Sequence, residues 1–351
     1  MSEEAEILIG REGAAGLIVL NRPKALNALT HPMVKAIDAA LVEWAADDRI
    51  TRVLIKGAGE RAFCAGGDIR VVHDLGRAGR QDEALAFWRD EYVMNRRIKR
   101  FPKPYIALID GIVMGGGVGV SLHGSHRVAG ERYSFAMPEV GIGFFPDVGA
   151  TYALPRLPFH AGSYLAITGQ RIGRGDALAL GLATHAVASG DMAALEAELL
   201  AGAPVEATLA RHGVAPDPAP LLAHRELIER AFGHDSVTEA MSVLAAAGAD
   251  NAFAAATLKQ MAAKSPTSML LALEQMRRGA SLDFEAAMSL EMRIVSHVVH
   301  GEEFYEGVRA LIIDKDQTPR WQPASVEAVD PAAIQRYFAL IDNELVFTAR
   351  A

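Results

Sequence analysis

Apolar residues recur along this chain at two different spacings, and the change between them divides it. In the first half, short apolar runs alternate with glycines and polar turns: Ile7–Ile9, Leu17–Leu20, Arg52–Lys56 and Tyr105–Ile109. Runs of that length, rich in β-branched residues and bounded by turn formers, predict strands. The first two, split by Gly10, Gly13 and Gly16, predict a hairpin. Between strands the spacing lengthens to that of a helix. Val34, Ile37, Leu41 and Trp44 share one helical face, with Thr30 as N-cap and Pro32 in the first turn. Leu85, Trp88 and Tyr92 share a face of a second, charged helix over 81–101; Glu91 sits beside that face, and Pro102 and Pro104 end the helix. Such alternation predicts an α/β fold with right-handed crossovers. From about 191 the segments turn alanine- and leucine-rich with helical spacing. The pattern predicts an α/β core over 1–190 and a helical C-terminal region over 191–351, in which 211–220 (RHGVAPDPAP) reads as a linker or exposed loop.

The candidate chemistry lies in Pro104–Arg156. The Tyr105–Ile109 run turns at Gly111 and reaches Gly115–Gly117 ahead of an apolar, helix-like segment. A strand, a glycine turn and a helix start leave backbone N–H groups without partners, and these suit a negative charge. A second glycine-rich loop, Ala65–Gly66–Gly67–Asp68, lies upstream. Two such loops can each give one N–H to the same oxygen, and donors of this kind lower acyl-transfer barriers by about 3–4 kcal/mol each. Glu139, among Met137, Pro138, Val140 and Ile142, reads either as a buried structural carboxylate or as a group tuned for catalysis. Asp147 reads as a turn or cap residue, or as a second acid.

Other site patterns fit less well. Gly115, Gly117 and Gly119 lack the wider gap of a dinucleotide loop, and no GxxxxGK phosphate loop is present. Ser121, in GVSLHG, only approaches a nucleophile elbow. His297 and His300 have ligand-pair spacing without a nearby third ligand, so they read as a helical face.

Composition narrows the picture further. The 351 residues are 50% hydrophobic and 22% charged, an ordinary globular profile. A net charge of −8 without a basic tract argues against nucleic acid as a partner. The lone Cys64 excludes an internal disulfide and a multi-thiolate zinc site, and reads as a small apolar filler. The acidic start, MSEEAEILIG, has no signal-peptide core or transit-peptide arginine bias, and no apolar run approaches a membrane span. A cytoplasmic location with no membrane partner is the expectation.

Several blocks in the same order carry a resemblance. NRPKALNAL, AFCAGGDI, GIVMGGGVG and MPEVGIG make the first 200 or so residues similar to the crotonase (enoyl-CoA hydratase/isomerase) superfamily. FCAGGDIR, FAMPEVGIGFFPDVG, LPRL and EGVRALIIDKDQTPRW look most like its branch of thioesterases that cleave 3-hydroxyisobutyryl-CoA in valine breakdown. The resemblance implies a crotonase-like spiral core of ββα turns with a helical C-terminal region. It implies an oxyanion hole from the N–H groups of Gly67 and Gly116, a catalytic Glu139, a second acid at Asp147 and a substrate-contacting Glu91. Hydratases of the superfamily carry a second glutamate where this chain has Gly119. Hydration wants two acids around one water, so the resemblance favours hydrolysis; the alternatives are an enoyl-CoA hydratase or isomerase and a CoA-binding member without activity. The CoA portion is expected along Arg22, Lys24 and Ala25 and the loop of Ala65, Gly66 and Asp68. Thiolate is a good leaving group, so no metal or other cofactor is expected. The expected partner is an acyl-CoA, the 3-hydroxyisobutyryl or the shorter 3-hydroxypropionyl ester. Assembly is expected to be trimer-based, or monomeric if the longer C-terminal region covers the same surface.

Overall fold

The computed structural model describes residues 5–215, 217–248 and 250–347. The first four residues of the acidic N-terminus and Pro216 of the expected loop lie outside them. The chain forms two compact units, each assembled from separate stretches. The first comprises Met1–Asp68, Val93–Phe135 and Ile172–Pro220; the second comprises Ile69–Tyr92, Ala136–Arg171 and Leu221–Ala351.

In chain order the strands begin with β1 (Ile7–Glu12), β2 (Ala15–Leu20), β3 (Arg52–Gly57), β4 (Ala62–Cys64) and β5 (Tyr105–Ile109). They continue with β6 (Ile112–Met114), β7 (His126–Ala129), β8 (Ser134–Ala136), β9 (Ile172–Gly173) and β10 (His185–Ala186). The first helices are α1 (His31–Ala46), α2 (Ile69–Arg77), α3 (Gln81–Lys99) and the single turn α4 (Gly116–Gly119). A six-stranded sheet runs β1-β2-β3-β5-β7-β10, and a four-stranded sheet runs β4-β6-β8-β9. The β1–β2 hairpin is antiparallel, with Ile7 opposite Leu20, and the strands from β2 to β10 in the large sheet pair in parallel. Parallel strands are covered on both faces, which is why β5 is buried at every position and reads as an unbroken apolar run.

Successive strands go to alternate sheets: β3 then β4, β5 then β6, β7 then β8. With α2 following β4 and α4 following β6, this is the repeated ββα turn of the expected spiral. β1, β2, β3 and β5 coincide with the predicted runs, whereas the shorter strands have two to four residues and carry no usable period. α1 begins as expected: Thr30 Oγ1 accepts the Met33 N–H at 3.4 Å, and Met33, Val34, Ile37, Leu41 and Trp44 are buried. Gly16 lies under the Trp44 ring, which a Cβ there would meet at 2.3 Å, so the ring packs directly on β2.

The expected boundary at 190 does not coincide with the units. Helices Met192–Leu200 and Val205–His212 bury Leu195, Leu199 and Leu209 against Leu17, Leu54, Ile106 and Val128 of the large sheet. Composition records that these segments are helical, but not which surface buries their leucines. From Leu221 onward the described residues are helical or irregular and belong to the second unit. Its long helices, Pro266–Gly279 and Phe284–Val298, are buried along most of their length. Trp88, Phe144, Phe145 and Phe304 form its aromatic centre, with Trp88 and Phe144 stacked at 5.4 Å. Among the described residues no helix is long and apolar enough to cross a membrane.

Candidate active site

Within the first unit the candidate groups are backbone. The 65–68 loop is stitched to the 26–29 loop: Ala65 N–H donates to Leu26 O, Leu29 N–H to Gly66 O and Asp68 N–H to Leu29 O, at 2.8–3.0 Å. This alternation skips the N–H of Gly67. In α4, Val118 and Gly119 donate to Gly115 O and Val120 to Gly116 O, so the first amide of the turn, Gly116, stays open. Among the described residues neither amide has a carbonyl partner. The two loops are close, because a Cβ on Gly117 would lie 2.3 Å from Cys64 O. Gly66 and Gly115 adopt φ of +121° and +47°, a region that favours glycine.

The same loops carry the residues expected at CoA. Lys24 and Ala25 are exposed, Ala65 and Asp68 are half-buried, and Gly66 is buried. Arg22 has another task. Its fork is taken up by Glu6 at 3.0 Å, Asp68 at 2.9 Å and Ala28 O at 2.7 Å, so Arg22 and Asp68 tie the two loops together. A phosphate there would compete with three partners already in place. Asn27 reinforces the tie from φ +57°, donating to Ala58 O and Ala62 O. Cys64 is 0% exposed with its sulfur 3.5 Å from Gly66 O, which suits the filler reading. Ser121 is buried and donates to Gly117 O at 2.7 Å, so it closes a helical turn.

Within the second unit the candidate groups are side chains. Glu139 opens the short turn Glu139–Ile142, which ends at Gly143 with φ +69°, where a Cβ would strike Glu303 O. Glu139 is buried and its Oε2 has no hydrogen-bond partner. Asp147 is buried as well, and its Oδ2 accepts the Tyr92 hydroxyl at 2.9 Å. Glu91, one residue before Tyr92 on α3, is 2% exposed with an unpartnered Oε1. Glu291, from Phe284–Val298, is 0% exposed and accepts the N–H groups of Gly149 at 2.8 Å and Thr151 at 3.0 Å.

Loss of water raises the pKa of a carboxyl, and a neighbouring carboxylate raises it further. Burial pushes Asp147 up to about 7, against the lowering effect of the Tyr92 hydroxyl. Burial and then the charge of Asp147 push Glu291 up to about 8. Glu139 and Glu91 are held well above the carboxylate range by burial first and Asp147 second. Lys264 partly opposes this at Glu139; its own pKa is lowered by burial, and its Nζ lies 3.4 Å from where a Cβ on Gly141 would stand. Carboxyls tuned toward neutrality can take up and release protons at physiological pH.

The structure brings Glu91, Glu139 and Asp147 together within the second unit, and Gly67 and Gly116 onto adjoining loops of the first. His297 and His300 join neither group: His297 packs edge-on to Tyr337 and His300 is exposed. Among the described residues no group of three or more His, Cys, Asp or Glu is arranged to hold a metal ion. Sequence reasoning missed Tyr92 as a donor, and missed Lys264, Gln275 and Glu291 altogether. A signal was present for two of them. Glu291 stands with Met288, Val295 and Val298 on an apolar helical face, and Gln275 stands with Leu271, Ala272 and Gly279. A polar residue on such a face needs a buried partner.

The enoyl-CoA hydratase/isomerase family model matches residues 15–338. The 3-hydroxyisobutyryl-CoA hydrolase, mitochondrial, of Danio rerio is 43% identical over 98% of this chain and 92% of its own length. The Homo sapiens protein of the same name is 42% identical over 97% of this chain and 91% of its own. A crystal structure titled as a carnitinyl-CoA dehydratase from Mycobacterium thermoresistibile superposes with a TM-score of 0.94 at 39% identity, covering 99% of this chain and all of that one (100%). One titled as an enoyl-CoA hydratase from Rhodobacter sphaeroides 2.4.1 gives 0.92 at 40% identity, covering 98% and 100%. On these matches the chain belongs to the enoyl-CoA hydratase/isomerase family.

Proposed function

We propose that this chain is a thioesterase that hydrolyses 3-hydroxyisobutyryl-CoA, or the shorter 3-hydroxypropionyl-CoA, to the free hydroxy acid and CoA. The observation that carries the reading is the buried Glu139–Asp147–Glu91 group, three carboxyls with pKa values raised by burial, to which the charge of Asp147 adds at Glu139 and Glu91. The names of the relatives support the substrate. In this mechanism the N–H groups of Gly67 and Gly116 stabilise the oxygen of the thioester carbonyl as it becomes an oxyanion. Glu139 takes a proton from the attacking water, or attacks the carbonyl itself to give a mixed anhydride that water then opens. By either route the C–S bond breaks, the CoA thiolate leaves and one water is consumed. Asp147, oriented by Tyr92, and Glu91 receive the substrate's 3-hydroxyl. An ester without that hydroxyl leaves buried carboxylates unpaired, at a cost of about 1–3 kcal/mol.

Hydration of an enoyl-CoA is the second reading, favoured by the names of the two solved relatives, a dehydratase and a hydratase. Against it stands Gly119, which supplies no carboxyl where hydratases of the superfamily carry their second glutamate. Incubation with 3-hydroxyisobutyryl-CoA and with crotonyl-CoA separates them. Thiol release from the hydroxy ester is expected; loss of enoyl absorbance with no thiol release from either ester would replace hydrolysis with hydration. Label found in Glu139 after a single turnover in ¹⁸O-labelled water marks an anhydride opened at the Glu139 carboxyl carbon, since general-base hydrolysis leaves that side chain unlabelled. We also propose a cytoplasmic location, where the vertebrate relatives are named mitochondrial; cell fractionation with immunodetection decides between the two.

A further inference from the structure

Glu291 has no part in the reaction just described, yet it is buried more completely than Asp147, at 0% against 5% exposure. Both of its oxygens are taken by backbone of one loop, the amides of Gly149 and Thr151. Gln275, also 0% exposed, holds the same loop from the helix Pro266–Gly279, its Nε2 donating to Pro146 O at 2.5 Å and Thr151 Oγ1 at 2.7 Å. That helix seats closely because it ends in Gly279, where a Cβ would lie 2.0 Å from Thr151 O. Asp147 sits between the held residues. Behind it come Val148 at φ +53° and Gly149 at φ +89°; a β-branched residue at positive φ persists only where its surroundings impose it.

From these contacts we propose that Glu291 and Gln275 are positioning residues, which grip the Pro146–Thr151 loop from behind and set the Asp147 carboxyl toward the substrate's 3-hydroxyl. The inference rests on the hydrolytic reading of Asp147. Two amides on one side need two acceptors from one side chain. Gln at 291 offers one acceptor and turns an NH2 toward the other amide, so the loop relaxes while the volume is kept.

The test measures kcat and KM for 3-hydroxyisobutyryl-CoA and for isobutyryl-CoA, which lacks the hydroxyl, in Glu291→Gln, Asp147→Asn and the double variant. Glu291→Gln is expected to lower kcat for the hydroxy ester about 10–100-fold with KM within about threefold, and to narrow the preference for that ester. The double variant is expected to fall no more than about threefold below Asp147→Asn, because both changes remove one contact. A Glu291→Gln enzyme with kcat within about twofold of wild type, or losses that multiply in the double variant, overturns the proposal. A purely structural role lowers thermal stability and yield but leaves the ester preference in place, which also overturns it. Should Glu291→Gln fail to fold, Gln275→Met takes its place in the same cycle, with the same two outcomes. Wild-type turnover by Asp147→Asn sinks the hydrolytic reading itself. Loss in Asp147→Asn with none in Glu291→Gln sinks only the positioning role.

Discussion

The two units differ in the kind of group each offers for chemistry. The first offers main-chain amides on loops fixed by glycines, a salt bridge and backbone pairing. The second offers buried carboxyls whose charged forms burial disfavours. An open amide at the start of a helical turn belongs to every helix and adds no conflict to folding. A cluster of buried acids costs stability, and native structures keep such groups mainly where function needs them. Substitutions in the amide loops should therefore damage stability and activity together, whereas substitutions among the acids should damage activity and leave the fold firmer.

Glu139→Gln gives the sharpest form of that contrast. It keeps the shape and removes the group proposed to move the proton or attack the carbonyl, so thiol release should fall roughly 10²–10⁴-fold. The melting temperature at neutral pH should hold or rise, since an amide cannot take on the charge that burial disfavours at Glu139. A large loss of stability with little loss of rate would reverse the contrast. Gly117→Ala probes the other unit. Its Cβ would sit 2.3 Å from Cys64 O and 2.9 Å from Cys64 Cβ, and neither neighbour is a flexible chain end. Overpacking of this kind costs about 1–3 kcal/mol, and pushing α4 away from β4 also displaces the Gly67 and Gly116 amides. Calorimetry and turnover should fall together, kcat by roughly tenfold or more if the amides serve as oxyanion donors. An alanine variant that melts lower but works normally would free those amides of any role.

Much of the fold was legible because length and period carried it. Val34, Ile37, Leu41 and Trp44 gave α1, and the hairpin followed from Gly13 between two apolar runs. The ββα turns were readable only through resemblance, since β4, β6 and β8 have three residues each. The site was legible where chemistry follows chain order. Glu139 and Asp147 follow prolines in one stretch, and Gly67 and Gly116 sit at strand exits. Arg22 stays ambiguous in sequence, because a cation beside a glycine loop looks alike whether it meets a phosphate or, as here, Asp68. Glu291 and Gln275 lie more than 120 residues from the loop they hold, so only tertiary structure reveals the grip.

The acid cluster also sets a pH dependence of stability. Asp147 has a folded pKa of about 7 against an ordinary value of 3.8. A raised pKa means that the folded state favours the protonated carboxyl. Its contribution is fully present below about pH 4 and is lost as pH rises to about 7, a swing of up to ~4 kcal/mol for this group alone. Thermal melts should show wild type losing stability from pH 5 to pH 8. Asp147→Asn cannot ionise, so it should lose less and melt higher than wild type at pH 8. Parallel melting curves for the two proteins across that range would mean that Asp147 is solvated, and the acid half would resemble the amide half after all.

The smallest effect is expected at the exposed edge of the amide loops, where Lys24 and Arg22 are two residues apart and differ in what holds them. Arg22 is committed to Glu6, Asp68 and Ala28 O, so its removal acts through the loops it ties. Lys24 is exposed and forms no ion pair among the described residues, so the proposed CoA contact would act through its charge alone. An exposed pair of that kind contributes up to ~1 kcal/mol, which is about fivefold in KM. Lys24→Ala should raise KM for acyl-CoA esters by about that factor, with kcat and melting temperature unchanged. Salt should erase the difference, because exposed charges are screened over about 10 Å at 0.1 M and over about 3 Å at 1 M. A KM effect that persists at high salt would point to packing by the lysine stem instead of charge, and no KM effect at all would remove Lys24 from the CoA path.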